Sequence, residues 1–138
     1  MSRQFFRDIE NEKTGYTHAL NEVLAELNYN ADGLIPAIAQ QFNTGEVLMQ
    51  AWMNAESISR TLSSGMVCYW SRSRGKFWTK GEESGYTQKL IDLRIDCDGD
   101  SLLMQVDQTG PACHTSKSSC FYLKVDESAV VIRPLLNP

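Results

Sequence analysis

Twenty-five residues, Asp96 to Cys120, hold three of the chain's four cysteines, one of its two histidines and a carboxylate at every second position from Asp96 to Asp100. Thiolates are soft ligands that suit zinc, and clustered carboxylates suit a hard ion such as magnesium. Cys97, Cys113 and Cys120 are separated by 15 and then 6 intervening residues, with no C-x-x-C anywhere. That spacing excludes a zinc ribbon or knuckle, and the upstream His-x-Glu of the nucleobase deaminases is absent. Three thiolates supply the three protein ligands of a catalytic zinc, with water in the fourth place. His114 could instead close the site as a structural Cys₃His centre. Neighbours in an extended loop point opposite ways, so a metal-facing Cys113 turns His114 toward a role as a base. Cys68, between Val67 and Tyr69, reads as a buried small hydrophobe.

On extended backbone Asp96, Asp98 and Asp100 share one face and Cys97 takes the other. Asp98-Gly99 is also a strong turn dipeptide, which would draw the carboxylates closer. Three such carboxylates repel one another unless a cation is bound. An EF-hand is excluded, because counting from Asp96 the sixth position is Ser101 and the twelfth is Asp107. A third constellation runs from Tyr69 to Gly81. Arg72, Arg74, Lys76 and Lys80 carry four positive charges with no acid among them, Ser71 and Ser73 add hydroxyls, and Trp70 and Trp78 offer flat faces. Arginine binds phosphate bidentately, so this segment suits an anionic nucleotide. A solvated hairpin with two core tryptophans is the plainer alternative.

These residues need elements to hold them. Residues 1–16 lack a period and read as an arm. Ala19, Leu20, Val23, Leu24 and Leu27 line one face of a helix over Thr17–Leu27, with Thr17 as N-cap. Leu34–Phe42 and Glu46–Trp52 form a hairpin about Asn43-Thr44-Gly45. Asn54 caps a short helix through Leu62, and Gly65 stops it. Met66–Arg72 and Lys76–Thr79 are strands about Arg74-Gly75. Thr87–Cys97 and Ser101–Gln108 are strands, Thr109–Cys120 is a loop, and Phe121–Val125 and Ala129–Arg133 close the chain. Many short strands with one or two helices imply an α+β domain of mostly antiparallel sheet built from hairpins.

At 138 residues the chain is one domain over 1–138, with a variable arm and helix over 1–30 and a core over 34–122. The net charge of −4 argues against nucleic-acid binding, so an anionic substrate needs a local basic patch. No apolar run reaches signal-peptide or membrane-spanning length, which reads as a soluble cytoplasmic protein outside the membrane. Disulfides are not expected there.

In order along the chain, L-I-P-A-I-A-Q, T-G-E-V-L-M-Q-A-W-M-N, Y-W-S-R-S-R, K-G-E-E-S-G, D-C-D-G-D and A-C-H-T-x-x-x-S-C-F resemble phosphoribosyl-AMP cyclohydrolases of histidine biosynthesis, over roughly Leu34 to Tyr122. The resemblance implies a zinc- and magnesium-dependent hydrolase that works as an intertwined homodimer. It implies Cys97, Cys113 and Cys120 as zinc ligands, Cys97 coming from the opposite subunit, and Asp96, Asp98 and Asp100 as magnesium ligands. His114 is then the catalytic base, and Trp70, Arg72, Ser73, Arg74, Lys76 and Lys80 bind a phosphorylated adenine nucleotide. Two positions depart from the pattern: Tyr86 follows S-G where many relatives have histidine, and Ser116 stands where a glycine follows A-C-H-T. With the chain ending at Pro138, the single-function form is expected. The competing readings are a zinc-dependent adenine-nucleotide deaminase and a non-enzymatic, zinc-stapled nucleotide-binding module.

Overall fold

The computed structural model describes residues 3–135, and residues 1, 2 and 136–138 lie outside them. Three helices flank one six-stranded sheet. They are α1 (Arg3–Ile9), α2 (Leu20–Ala25) and α3 (Ala55–Ser64). The sheet is built from β1 (Ile35–Gln41), β2 (Val47–Met53), β3 (Cys68–Ser71), β4 (Lys76–Thr79), β5 (Gln88–Ile95) and β6 (Leu102–Gln108). Its order is β4-β3-β2-β1-β6-β5. Strands β7 (Leu123–Asp126) and β8 (Ala129–Ile132) form a separate hairpin.

The α+β class and the hairpins match expectation, but the sheet is mixed. Its central pair, β1 and β6, is parallel, with Ala37 opposite Leu102 and Gln41 opposite Val106. The hairpins have local turn signals, whereas β1 and β6 meet across more than sixty residues of chain and carry none. Met66 bridges Lys89, and the Val67 amide donates to the Gln88 carbonyl at 2.9 Å. The segment entering β3 therefore meets the start of β5, and the sheet curls.

Period-two burial selects the core face. Ile35, Ala37 and Ala39 of β1 and Leu102, Met104 and Val106 of β6 are buried. Helix α3 packs against β3 and β2, adding Ile58 to the same core along with the buried hydroxyls of Ser57 and Thr61. Thr61 Oγ1 donates to Ser57 O and accepts from the Cys68 amide, tying the helix to β3. Asn54 and Ser57 form a complete capping box, and Gly65 ends the helix at φ 78°, both as expected.

The first thirty residues depart further from expectation. The arm holds α1, whose Phe6 is 6% exposed, with Phe5 and Ile9 packed beside it. Phe5, Phe6 and Ile9, the apolar residues of this short helix, are too few to show a period. Helix α2 starts later than Thr17, after an extended Ala19 with no side-chain cap. Leu20, expected on its buried face, is 55% exposed, while Leu27 beyond the helix is fully buried. No helix of the described residues is long and apolar enough to cross a membrane.

Replacing Asn54 with alanine removes one half of the capping box. The expected cost is about 1 kcal/mol, read as a fall of about 3 °C in a circular-dichroism melt. An unchanged melting temperature would show that packing alone sets the start of α3.

Candidate active site

The acidic segment is a turn rather than a strand. Strand β5 stops at Ile95, the Gly99 amide donates to Asp96 O at 3.0 Å, and the Asp96 amide donates to Ser101 O at 3.1 Å. Asp96 Oδ1 also accepts from the Asp100 amide at 2.9 Å. Cys97 does not take the opposite face, as extended backbone would require. Ligand atoms of Asp96, Cys97 and Asp98 all lie within 4.8 Å of one another. The helix-bearing N-terminus holds this turn in place. A Cβ on Gly99, which has φ +68°, would fall 2.2 Å from the Phe6 ring. The Asn28 amide donates to Gly99 O at 2.8 Å, and Asn28 Nδ2 donates to Asp98 O at 2.7 Å. Phe6 and Asn28 thus position a site that motif reading confined to D-C-D-G-D.

The thiol loop is pinned at the other end of β6. The Cys120 amide donates to Leu48 O at 2.7 Å, and the fully buried Ser119 donates its hydroxyl to Val47 O at 2.6 Å. A turn from Cys113 to Lys117 closes the loop, with Ser116 at φ 67°. That left-handed backbone accounts for the glycine expected at this position.

Cys113 and Cys120 line the same cavity, and each acts on the other's ionisation. Burial pushes the Cys113 thiol up, but hydrogen bonds from Thr115, whose hydroxyl lies 3.0 Å from Sγ, and from Cys120, with the Lys117 charge, hold it below the usual thiol range. Burial and then the negative Cys113 push Cys120 up to about 11, against the pull of Lys80. The two shifts run in opposite directions, and a divalent cation bound to both sulfurs would displace their protons.

A cavity of about 400 Å³ opens beside this pair, a size typical of small-molecule sites. Cys113, Cys120, His114, Lys80, Arg74 and Trp78 line it. Lys80 is 6% exposed, and its ammonium donates to Tyr86 O at 3.0 Å. Burial lowers its pKa, opposed by the Cys120 and Cys113 charges. An adjoining groove holds Trp52, Trp70, Arg72 and Ser73, and it shares Arg74 and Trp78 with the cavity. The Arg72 guanidinium lies 4.6 Å from the Trp52 ring centroid.

The basic constellation therefore divides. Arg72, Ser73 and Arg74 stand exposed at the turn between β3 and β4, Trp70 is half-buried against Phe77, and Lys80 faces the thiols. Lys76 is exposed and lines neither space. Tyr86 lines the cavity with its ring against Gly110.

Cys97 and the thiol pair lie at opposite ends of β6. A strand of seven residues rising ~3.3 Å per residue spans roughly 20 Å. Among the described residues, the one cluster of three possible metal ligands is Asp96, Cys97 and Asp98. A single chain does not bring the three thiols together.

Comparison with known proteins accounts for this arrangement of motifs. Residues 49–122 match the family model described as phosphoribosyl-AMP cyclohydrolase. Proteins of that name resemble nearly the whole chain. One from Alkalilimnicola ehrlichii is 55% identical over 135 residues, covering 96% of this chain and 95% of its own. One from Hydrogenovibrio crunogenus is 50% identical over 141 residues, covering 100% of this chain and 96% of its own. One from Paracoccus denitrificans is 63% identical over 115 residues, covering 83% and 95%. On these matches the chain belongs to the phosphoribosyl-AMP cyclohydrolase family.

Proposed function

We propose that this chain hydrolyses the N1–C6 bond of the adenine ring of 1-(5-phosphoribosyl)-AMP, in histidine biosynthesis. The product is the ring-opened phosphoribosyl-formimino-carboxamide nucleotide. The observation that carries this reading is one cavity shared by Cys113, Cys120, His114, Arg74 and Trp78, in a chain of this family.

The donor sets fit two kinds of metal. Cys113 and Cys120 line one cavity and would offer two soft donors, and Cys97 of a second copy of the chain would supply a third. Zinc held there would lower the pKa of a bound water toward neutrality. Oxygen donors of Asp96 and Asp98, beside Asp100, suit magnesium. We read the working enzyme as a homodimer in which two half-sites complete each other.

The chain's own residues do the rest. His114 is exposed on the cavity wall, and its imidazole accepts a proton from the water that adds to C6. As the N1–C6 bond breaks, its electron pair goes to N1, which takes up a proton. Trp78 offers a face to the base, and the adjoining groove with Trp70 takes a ribosyl phosphate arm. Arg72, Ser73 and Arg74 hold phosphate oxygens by charge-assisted bonds. Lys76, at the start of β4, adds a long-range positive charge that steers the anion in from solvent.

Replacing Cys113 with serine should abolish both zinc uptake and turnover. Full activity in a zinc-free Cys113→Ser protein, followed by the ultraviolet change of ring opening, would sink the reading. Mixing inactive Cys97→Ser and Cys113→Ser chains after subunit exchange should restore about a quarter of wild-type activity. Half of the dimers are then mixed, and each mixed dimer has one intact site of two. No recovery would put all three thiols in one chain. Arg72→Ala should raise KM about tenfold with little change in kcat, as loss of a charged phosphate contact predicts.

A further inference from the structure

Lys80 lies where its sequence neighbours do not suggest. It belongs to a basic run otherwise exposed at a hairpin, yet it is buried and lines the cavity with Cys113 and Cys120. Several backbone bonds hold it there. The Lys80 amide donates to Val67 O at 3.0 Å, and the loop that follows doubles back through Glu82 to Thr79 and Gly85 to Gly81. That return is tight: a Cβ on Gly81 would fall 2.4 Å from the Tyr86 carbonyl carbon. It delivers the Tyr86 carbonyl oxygen to the Lys80 ammonium at 3.0 Å, and Gln108 Nε2 holds the same oxygen at 3.1 Å.

A buried ammonium has three protons to place and a charge to balance. The carbonyl takes one proton. Among the described residues, the ion pairs involve His18, Arg60, Arg94 and Arg133, and none brings a carboxylate to Lys80. Cys120 and Cys113 line the same cavity as Lys80, and once ionised their sulfurs would act on its charge. A divalent cation held by three thiolates carries a net charge of about −1, which is costly in a secluded site and repels a phosphorylated substrate.

We propose that Lys80 is a positioning residue for the soft-metal centre: a fixed positive charge that balances the sulfur ligands of Cys113 and Cys120, rather than a ligand of the substrate's phosphate. The inference rests on Cys113 and Cys120 being ligands of a soft divalent cation. Lys80 strengthens cation binding by offsetting the excess sulfur charge, and it leaves the site close to neutral for an anionic nucleotide.

The test uses the full chain with Zn²⁺ and Co²⁺ as probes. Zn²⁺ affinity is read by competition with a chromophoric chelator, and thiolate ligation by the thiolate-to-Co²⁺ absorption band. Lys80→Met and Lys80→Gln should weaken Zn²⁺ binding by about tenfold or more and shift that band, the range set by groups that contact metal ligands. Lys80→Arg, which keeps the charge, should recover most of the affinity. In the neutral variants kcat should fall while KM stays within about twofold. Unchanged Zn²⁺ affinity with a raised KM would make Lys80 a phosphate ligand and overturn the proposal. Equal loss in the arginine and methionine variants would overturn it too, since charge would not be the operative property. Failure of both neutral variants to fold in excess Zn²⁺ would assign Lys80 to structure instead. A wild-type protein without the Co²⁺–thiolate band would sink the soft-metal reading itself. A normal wild-type band with unaltered variants would sink the role of Lys80 alone.

Discussion

Strand β6 pairs in parallel with β1 on one side and antiparallel with β5 on the other. Those two ladders hold both chemical segments of the chain at a set separation. The acidic turn enters β6 and the thiol loop leaves it, so seven residues of paired backbone stand between Cys97 and Cys113. The loop cannot fold back along the strand, because Ser119 and Cys120 are bonded to Val47 and Leu48 of β2. A rigid spacer of this kind keeps Cys97 apart from Cys113 and Cys120 within one chain. Shifting β6 against β1 by one residue would turn Leu102, Met104 and Val106 out of the core, so burial enforces the separation.

At the thiol end, burial and hydrogen bonding pull in opposite directions. Burial raises both thiols, while Thr115 and Lys117 favour a negative Cys113 and Lys80 favours a negative Cys120. Neither sulfur is an inert core cysteine of the kind that Cys68 is, sealed between Val67 and Tyr69. The protein has gathered donors and cations around two sulfurs at the mouth of a cavity, and a disulfide would need none of them.

Much of this was legible from residue types. The capping box at Asn54, the left-handed stop at Gly65, the Asp98-Gly99 turn and the hairpin about Arg74-Gly75 are local signals, and each sits where its chemistry demands. The thiols and acids stood out because their types are rare together. What was illegible is non-local. Nothing near Ile35 announces a parallel partner at Leu102, nothing near Phe6 announces Gly99, and nothing in the basic run separates an exposed Arg74 from a buried Lys80. Alternation also misled at Cys97, where the strand ends at Ile95, two residues earlier than expected, and a turn reverses the expected face.

The last hairpin bears on assembly as well. Leu123 faces Ile132 and Val125 faces Val130 across β7 and β8, so one face is wholly apolar, and all four residues are 58–76% exposed. A two-stranded hairpin is marginal by itself in water. This one begins three residues after Cys120 and is anchored at its base by the Arg133–Glu46 ion pair. In the proposed dimer, a second copy completes the sulfur ligands only a few residues from that uncovered surface. Metal binding and association would then be thermodynamically linked: each raises the apparent strength of the other, because both favour the same assembled state.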